Sequence, residues 1–118
     1  MTVKFALVSV TVLTMASTAL AEETRQFISA KQAAEQLGDG KAWSAVDPDG
    51  TKLKLTLAPD GTGSVRGPIP IPMSVTWGVE GDQLCLTTKM GKRCLRFTRI
   101  SGGLQGWENN QLGMRFRR

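Results

Sequence analysis

The clearest indication of the fold is the segment DPDGTKLKLTLAPDGT, at positions 47–62. The motif Pro-Asp-Gly-Thr occurs at both ends of this segment. In this motif, proline fixes the φ angle at the first position of the turn, aspartate hydrogen-bonds its own backbone, and glycine adopts the left-handed conformation that closes a hairpin. Between the two turns, Leu53, Leu55 and Leu57 alternate with lysine or threonine, as in a strand with one buried face. A one-sided strand between two tight turns predicts an antiparallel meander.

The same alternation of apolar and polar residues, with a period of two, continues along most of the chain. It predicts strands at residues 41–46, 52–57, 62–66, 74–79, 83–88, 93–99, 104–109 and 111–117. About eight short strands joined by turns favour an all-β, up-and-down barrel, because closure removes the aggregation-prone edges of a sheet. A two-sheet β-sandwich is the alternative.

A short helix is predicted before the first of these strands. Ser29 and Gln32 have the spacing of a capping box, residues 30–37 are good helix formers with an apolar stripe, and Gly38 ends the helix. A helix of this length is not stable alone. We therefore expect it to pack on the sheet or to plug an open end of the barrel.

The first 21 residues are predicted to be a cleaved signal peptide. Lys4 supplies the positive charge, residues 5–15 are apolar but too short to span a bilayer, and small residues Ala19 and Ala21 precede the cut. An uncleaved membrane anchor is the alternative. Residues 22–118 then form one domain with no further transmembrane segment, and we expect it to be periplasmic or secreted.

The two cysteines, Cys85 and Cys94, have one available pairing, and an exported protein meets an oxidising compartment. Placing them opposite each other also places Leu84 opposite Leu95 on the other, apolar face of the hairpin. This agreement predicts a structural disulfide that contributes about 2.5–3 kcal/mol in the chain-entropy model. A redox role is not expected, because no C-x-x-C spacing or histidine lowers a thiol pKa.

The composition argues against catalysis. The chain has no histidine and no tyrosine, which removes the commonest general base and metal ligand. Its aspartates at 47, 49, 60 and 82 lie in predicted turns, where they ordinarily hydrogen-bond the backbone. We therefore expect no enzymatic activity, no cofactor and no metal site.

Apolar residues in two settings are candidates for contact with a ligand or partner. The segment GPIPIPM at residues 67–73 has prolines at alternate positions, which remove backbone donors from one side. It is either a guarded sheet edge or a flap beside a barrel mouth. The tryptophans lie on separate strands and either fill the core or line a cavity. The candidate contact residues are Ile69, Ile71, Met73, Trp43, Trp77 and Trp107.

Basic residues give the chain a formal charge of +5, and residues 89–118 hold eight of them against a single acid, Glu108. Several basic residues alternate with apolar ones and are predicted to point outward. If neighbouring strands align them, they form a basic face that attracts anionic envelope polymers; alternatively, they only keep a small domain soluble. No aromatic platform accompanies them, so nucleic acid is not an expected partner. The candidate basic face consists of Lys52, Lys54, Lys92, Arg96, Arg115 and Arg117.

Three short motifs form a pattern seen elsewhere: GKAW at residues 40–43, APDGT at 58–62, and TWGVEGDQLC at 76–85 followed by Cys94. In this order they resemble small exported bacterial domains of unknown function that have a lipocalin-like barrel. Ala42 and Val75 stand where that family usually has threonine and glycine. The resemblance implies a barrel and no catalytic residue.

These features predict a non-catalytic, exported binding protein of the bacterial envelope. Its ligand would be a small apolar molecule inside the barrel, or a protein or anionic envelope polymer on its surface. One alternative is an inhibitor of a secreted or periplasmic hydrolase, with the loop from Gly67 to Met73 as the inserted element. A second alternative is a structural or stress-related envelope protein that acts through the basic face.

Overall fold

The fold is that of a computed structural model, which describes residues 25–68 and 71–118. The predicted signal peptide, residues 1–21, and Ile69 lie outside the described residues. The described residues form one helix and nine strands. They are β1 (Phe27–Ile28), α1 (Ala30–Leu37), β2 (Ala42–Val46), β3 (Lys52–Leu57), β4 (Thr62–Arg66), β5 (Met73–Glu80), β6 (Gln83–Thr88), β7 (Gly91–Ile100), β8 (Gly103–Glu108) and β9 (Gln111–Arg117).

Strands β2 to β9 form a closed antiparallel barrel. Each pairs with the next strand along the chain, and β9 returns to pair with β2. The predicted eight-strand meander is therefore confirmed, and the β-sandwich alternative is wrong. Strand β1 pairs with β7 at Phe97 and Thr98, beyond the last residue of β7 that pairs with β6. It has only two residues, too few for its sequence to show an alternating pattern.

Both Pro-Asp-Gly turns form, with the same geometry. Gly50 and Gly61 have φ angles of 90° and 92°, which the missing side chain allows. Their amides donate to the carbonyl three residues earlier, at 2.8 and 3.1 Å. In each turn the aspartate Oδ1, of Asp49 or Asp60, accepts the amide hydrogen of the threonine two residues later at 3.0 Å. The turns cap opposite ends of β3, so they lie at opposite ends of the barrel.

Helix α1 covers one end of the barrel. It begins with the predicted capping box, in which Ser29 Oγ accepts from the Gln32 amide at 3.0 Å and Gln32 Oε1 accepts from the Ser29 amide at 3.1 Å. Its buried face packs on β5, β6 and β7. After the helix, Gly38 approaches the ring of Trp77 so closely that a Cβ would lie 2.6 Å from it. We call this end, where β3 meets β4, the plugged end, and the opposite end the open end.

The core lies on the inner face of the barrel. The rings of Phe97 and Phe116 contact each other with centroids 5.7 Å apart. The predicted register of the cysteine hairpin is confirmed, with Cys85 opposite Cys94 in a disulfide and Leu84 opposite Leu95. The largest fully buried side chains are those of Phe97, Phe116, Leu37, Leu57, Leu84, Leu95 and Leu104.

Candidate functional site

At its open end the barrel interior contains a cavity of about 470 Å³, a volume typical of small-molecule sites. The strand period that buries Leu57 at the plugged end points Leu53 and Leu55 into this space. No described helix covers this end, so the inward side chains do not meet across it. The apolar walls consist mainly of Leu53, Leu55, Val65, Val75, Leu86, Met73, Met90 and Met114.

Charged side chains meet at the rim of the cavity. Arg93 Nη2 lies 3.1 Å from Glu108 Oε1, and Arg93 Nη1 lies 3.7 Å from Asp47 Oδ1. The longer distance is an ion pair without a hydrogen bond. Asp47 Oδ1 is buried and accepts no hydrogen bond from the described residues. The rim thus holds two carboxylates around one guanidinium.

Sequence reasoning missed this rim, although strand parity contained a signal for it. Arg93 precedes the inward residue Leu95 by two positions, and Asp47 follows the inward residue Ala45 by two. Both side chains therefore belong to the inner faces of their strands. Glu108 joins them only because β8 runs beside β7, which the local sequence does not show.

The candidate residues of the 67–73 segment lie in different places. Met73 lines the cavity. Ile71 is 73% exposed and lies with Pro68 and Pro72 along a surface groove that shares Leu53, Val65 and Met73 with the cavity. Ile69 is outside the described residues. The role of this segment as an inhibitory loop stays a prediction.

None of the tryptophans, all within the described residues, lines the cavity. Trp43 is buried in the core. The indole N–H of Trp77 donates to the carbonyl of Ala58 at 2.9 Å, at the plugged end. Trp107 stands opposite the exposed Leu112 and has the guanidinium of Arg25 stacked 3.9 Å from its ring centroid.

The basic residues divide into two groups. Four of the candidates, on β3 and β9, line a groove of about 450 Å³ on the outer wall, together with Arg66 of β4. The other two lie on β7, which β8 and β9 separate from β2. There Lys92 pairs with Glu80 at 2.7 Å and Arg96 with Asp82 at 3.4 Å. The groove residues from the candidate set are Lys52, Lys54, Arg115 and Arg117.

One group of potential metal ligands lies within the described residues: Glu80, Cys85 and Cys94, with ligand atoms within 4.8 Å of one another. Both sulfurs are bonded to each other, so this group offers a single carboxylate. In the part of the chain that the structure describes, no helix has the length and apolarity needed to cross a membrane.

No protein-family model, curated protein or solved structure matches this chain. The resemblance to exported lipocalin-like domains therefore rests on the three sequence motifs and stays a prediction.

Proposed function

We propose that this protein is a non-catalytic binding protein that holds a small, mostly apolar molecule in the open-end cavity. The observation that carries the proposal is the space of about 470 Å³ behind apolar walls, in a barrel whose other end is filled. Moving an alkyl chain from water into such a site is favourable by about 0.8 kcal/mol per buried methylene. Flexible methionine side chains on three sides adapt the walls to different shapes.

The charged rim would orient the ligand in the cavity. Its polar end would remain at the mouth, beside the charged side chains of Asp47, Arg93 and Glu108. Arg93 and Glu108 hold each other in place and keep the mouth polar. A molecule with an apolar body and one polar end therefore fits this site best.

Titration of the protein with hexanol, octanol and decanol tests the proposal. Affinity, measured by calorimetry, should rise about fourfold per methylene until the chain fills the cavity. Leu53→Trp places a large ring in the half-buried cavity wall and should abolish this binding. Leu112→Trp makes the same change on the exposed outer wall and should leave binding unchanged.

The two variants separate cavity binding from adsorption to the surface. Affinity that does not depend on chain length, or that both tryptophan variants reduce equally, would contradict the proposal. Circular dichroism of each variant establishes that the barrel is retained.

We also propose that the protein works in the periplasm or outside the cell. The Cys85–Cys94 disulfide supports this, because such bonds persist in oxidising compartments. The signal-peptide pattern in residues 1–21 supports the same compartment.

A further inference from the structure

The outer wall of the barrel aligns five cations that come from three separate strands. Strand β2 lies between β9 and β3, and its outward residues in this region are the uncharged Ser44 and Val46. Ser44 is opposite Arg117 on one side and opposite Lys54 on the other, and Val46 is likewise flanked by Arg115 and Lys52. On the far side of Lys54, on strand β4, Arg66 lies opposite Lys54 and extends the row of Arg117, Ser44 and Lys54.

This register makes a groove with two charged banks. The small side chains of Ser44 and Val46 form its floor, and a cation stands on each side of both. Neighbouring strands are about 4.8 Å apart, so the backbones of the two banks are separated by roughly 10 Å. Along the groove the two pairs of cations are about 6.8 Å apart, the rise of two residues in a strand.

The five cations are not neutralised within the described part of the chain. The ion pairs there involve Lys92, Arg93, Arg96 and Arg118 as cations, and no member of the groove. Five like charges at this spacing repel one another, and an anionic ligand relieves that repulsion. The arginines on β9, and Arg66 beside the β3 bank, offer the forked donor geometry that matches carboxylate or phosphate oxygens.

We propose that this groove binds a linear anionic polymer, such as a carboxylated polysaccharide. An extended chain fits between two parallel banks and meets a pair of cations at each step. A membrane surface fits less well, because interfacial binding uses exposed apolar side chains. Among the described residues, the exposed large apolar ones, Ile71, Val79, Met90 and Leu112, lie outside the groove. The groove also has no aromatic ring on which the bases of a single-stranded nucleic acid would stack.

This inference is independent of the cavity, which lies on the inner side of the same sheet. Polygalacturonate is a suitable polymer to test it, with neutral dextran as the uncharged comparison. A triple variant, K52Q/K54Q/R117Q, removes exposed charges from both banks. The matched control, K31Q/K89Q/R99Q, removes the same number of lysines and arginines from exposed positions outside the groove.

The groove variant should bind polygalacturonate roughly tenfold to a hundredfold more weakly than the original protein, and the control variant within about twofold of it. Binding should weaken with added salt, and dextran should not bind. Equal losses in the two variants would overturn the groove, because they would show a response to net charge alone. Tighter binding to dioleoylphosphatidylglycerol vesicles or to a single-stranded oligonucleotide than to polygalacturonate would overturn the assignment of the partner.

A measurement on the unaltered protein tests the groove without relying on the variants being folded. In a titration with polygalacturonate, backbone amide resonances of residues 44–46, 52–54 and 115–117 should shift first. If the largest shifts fall on residues 92–96, the proposal is wrong.

Discussion

The two ends of the barrel are built from the same strands but are packed differently. Strand β3 shows the difference along one row of leucines: Leu57 is fully buried at the plugged end, Leu55 is 4% exposed, and Leu53 at the open end is only half-buried. At the plugged end, Leu37 of the helix fills the space between the strands. At the open end the inward side chains surround a cavity and a charged rim.

The comparison shows that alternation along the strands makes a barrel, whereas a separate element decides whether its interior is filled. The helix brings the buried side chains of Ala33 and Leu37 to the plugged end of the core. Where it packs, burial stabilises the fold; where no described element packs, apolar side chains line a cavity. The function that we propose assigns binding to this open end, whereas the plugged end contributes stability.

The largest expected effect tests that assignment on β3 itself. Leu57→Ala should lower the free energy of unfolding by about 3–4 kcal/mol, because it leaves an enclosed cavity in the packed core at the plugged end. Leu53→Ala should lower it by about 1 kcal/mol, because this side chain is half-buried beside existing space. Chemical denaturation of both variants gives the two values. Similar losses at both positions would show that the open end is packed as tightly as the plugged end.

The disulfide links a hairpin that reaches from one end to the other. Cys85→Ser with Cys94→Ser should lower the free energy of unfolding by about 2.5–3 kcal/mol, because the unfolded chain gains conformational freedom. Reduction of the original protein is the matched control and should give the same loss. Hydrogen exchange should accelerate at both ends together. Faster exchange confined to the open end would show that the two ends unfold separately.

The smallest expected effect concerns the two Pro-Asp-Gly turns. At the plugged end, the hydroxyl of Thr62 donates to Asp60 Oδ1 at 2.6 Å and, with the Thr62 amide, lowers the pKa of that carboxyl. At the open end, the Thr51 amide and, after it, the Thr51 side chain lower the pKa of the Asp49 carboxyl. A lowered pKa gives stability that is complete above the unfolded value of about 3.9 and is lost as pH falls through the folded value.

Unfolding measured from about pH 6 down to about pH 2 should therefore show a small acid-induced loss of stability. Asp49→Asn and Asp60→Asn should each remove part of that loss, since asparagine does not titrate. The acid-induced loss of stability should decrease by a similar amount in both variants, because each interaction lies within its own turn. If only one of the two variants lost less stability in acid, the end of the barrel, rather than the turn, would control the effect.

Much of the fold was predictable because its determinants are local. The bounds of the helix, of four strands and of both glycine-closed turns follow from residues close together in the chain. The cysteine register followed from matching two faces of one hairpin. Some predicted bounds were wrong by one residue. The first barrel strand begins at Ala42 and not at the predicted Lys41, and the strand that carries Trp107 ends at Glu108 and not at the predicted Asn109. The buried Gln105, whose Nε2 donates to the carbonyls of Gly106 and Gly113 beside a bulge between β8 and β9, gave no such signal.

The candidate sites were less predictable, because they combine strands that are distant in sequence. Arg66 and Lys92 are both basic and both point outward from their strands. Arg66 joins the groove because β4 follows β3, which pairs with β2, while Lys92 lies on the far side of β8 and meets Glu80. The local sequence around either residue does not distinguish them.

Local patterns along the chain are enough to locate the strands and turns, the apolar face of each strand and the cysteine pair, since these depend on neighbours within about a dozen residues. The folded barrel was needed to show that β9 returns to β2, that the helix fills one end, and that Asp47, Arg93 and Glu108 meet at the other. Closure aligns residues more than sixty positions apart, such as Ser44 with Arg117, through backbone hydrogen bonds that any pair of strands can make, so the local sequence does not encode these contacts.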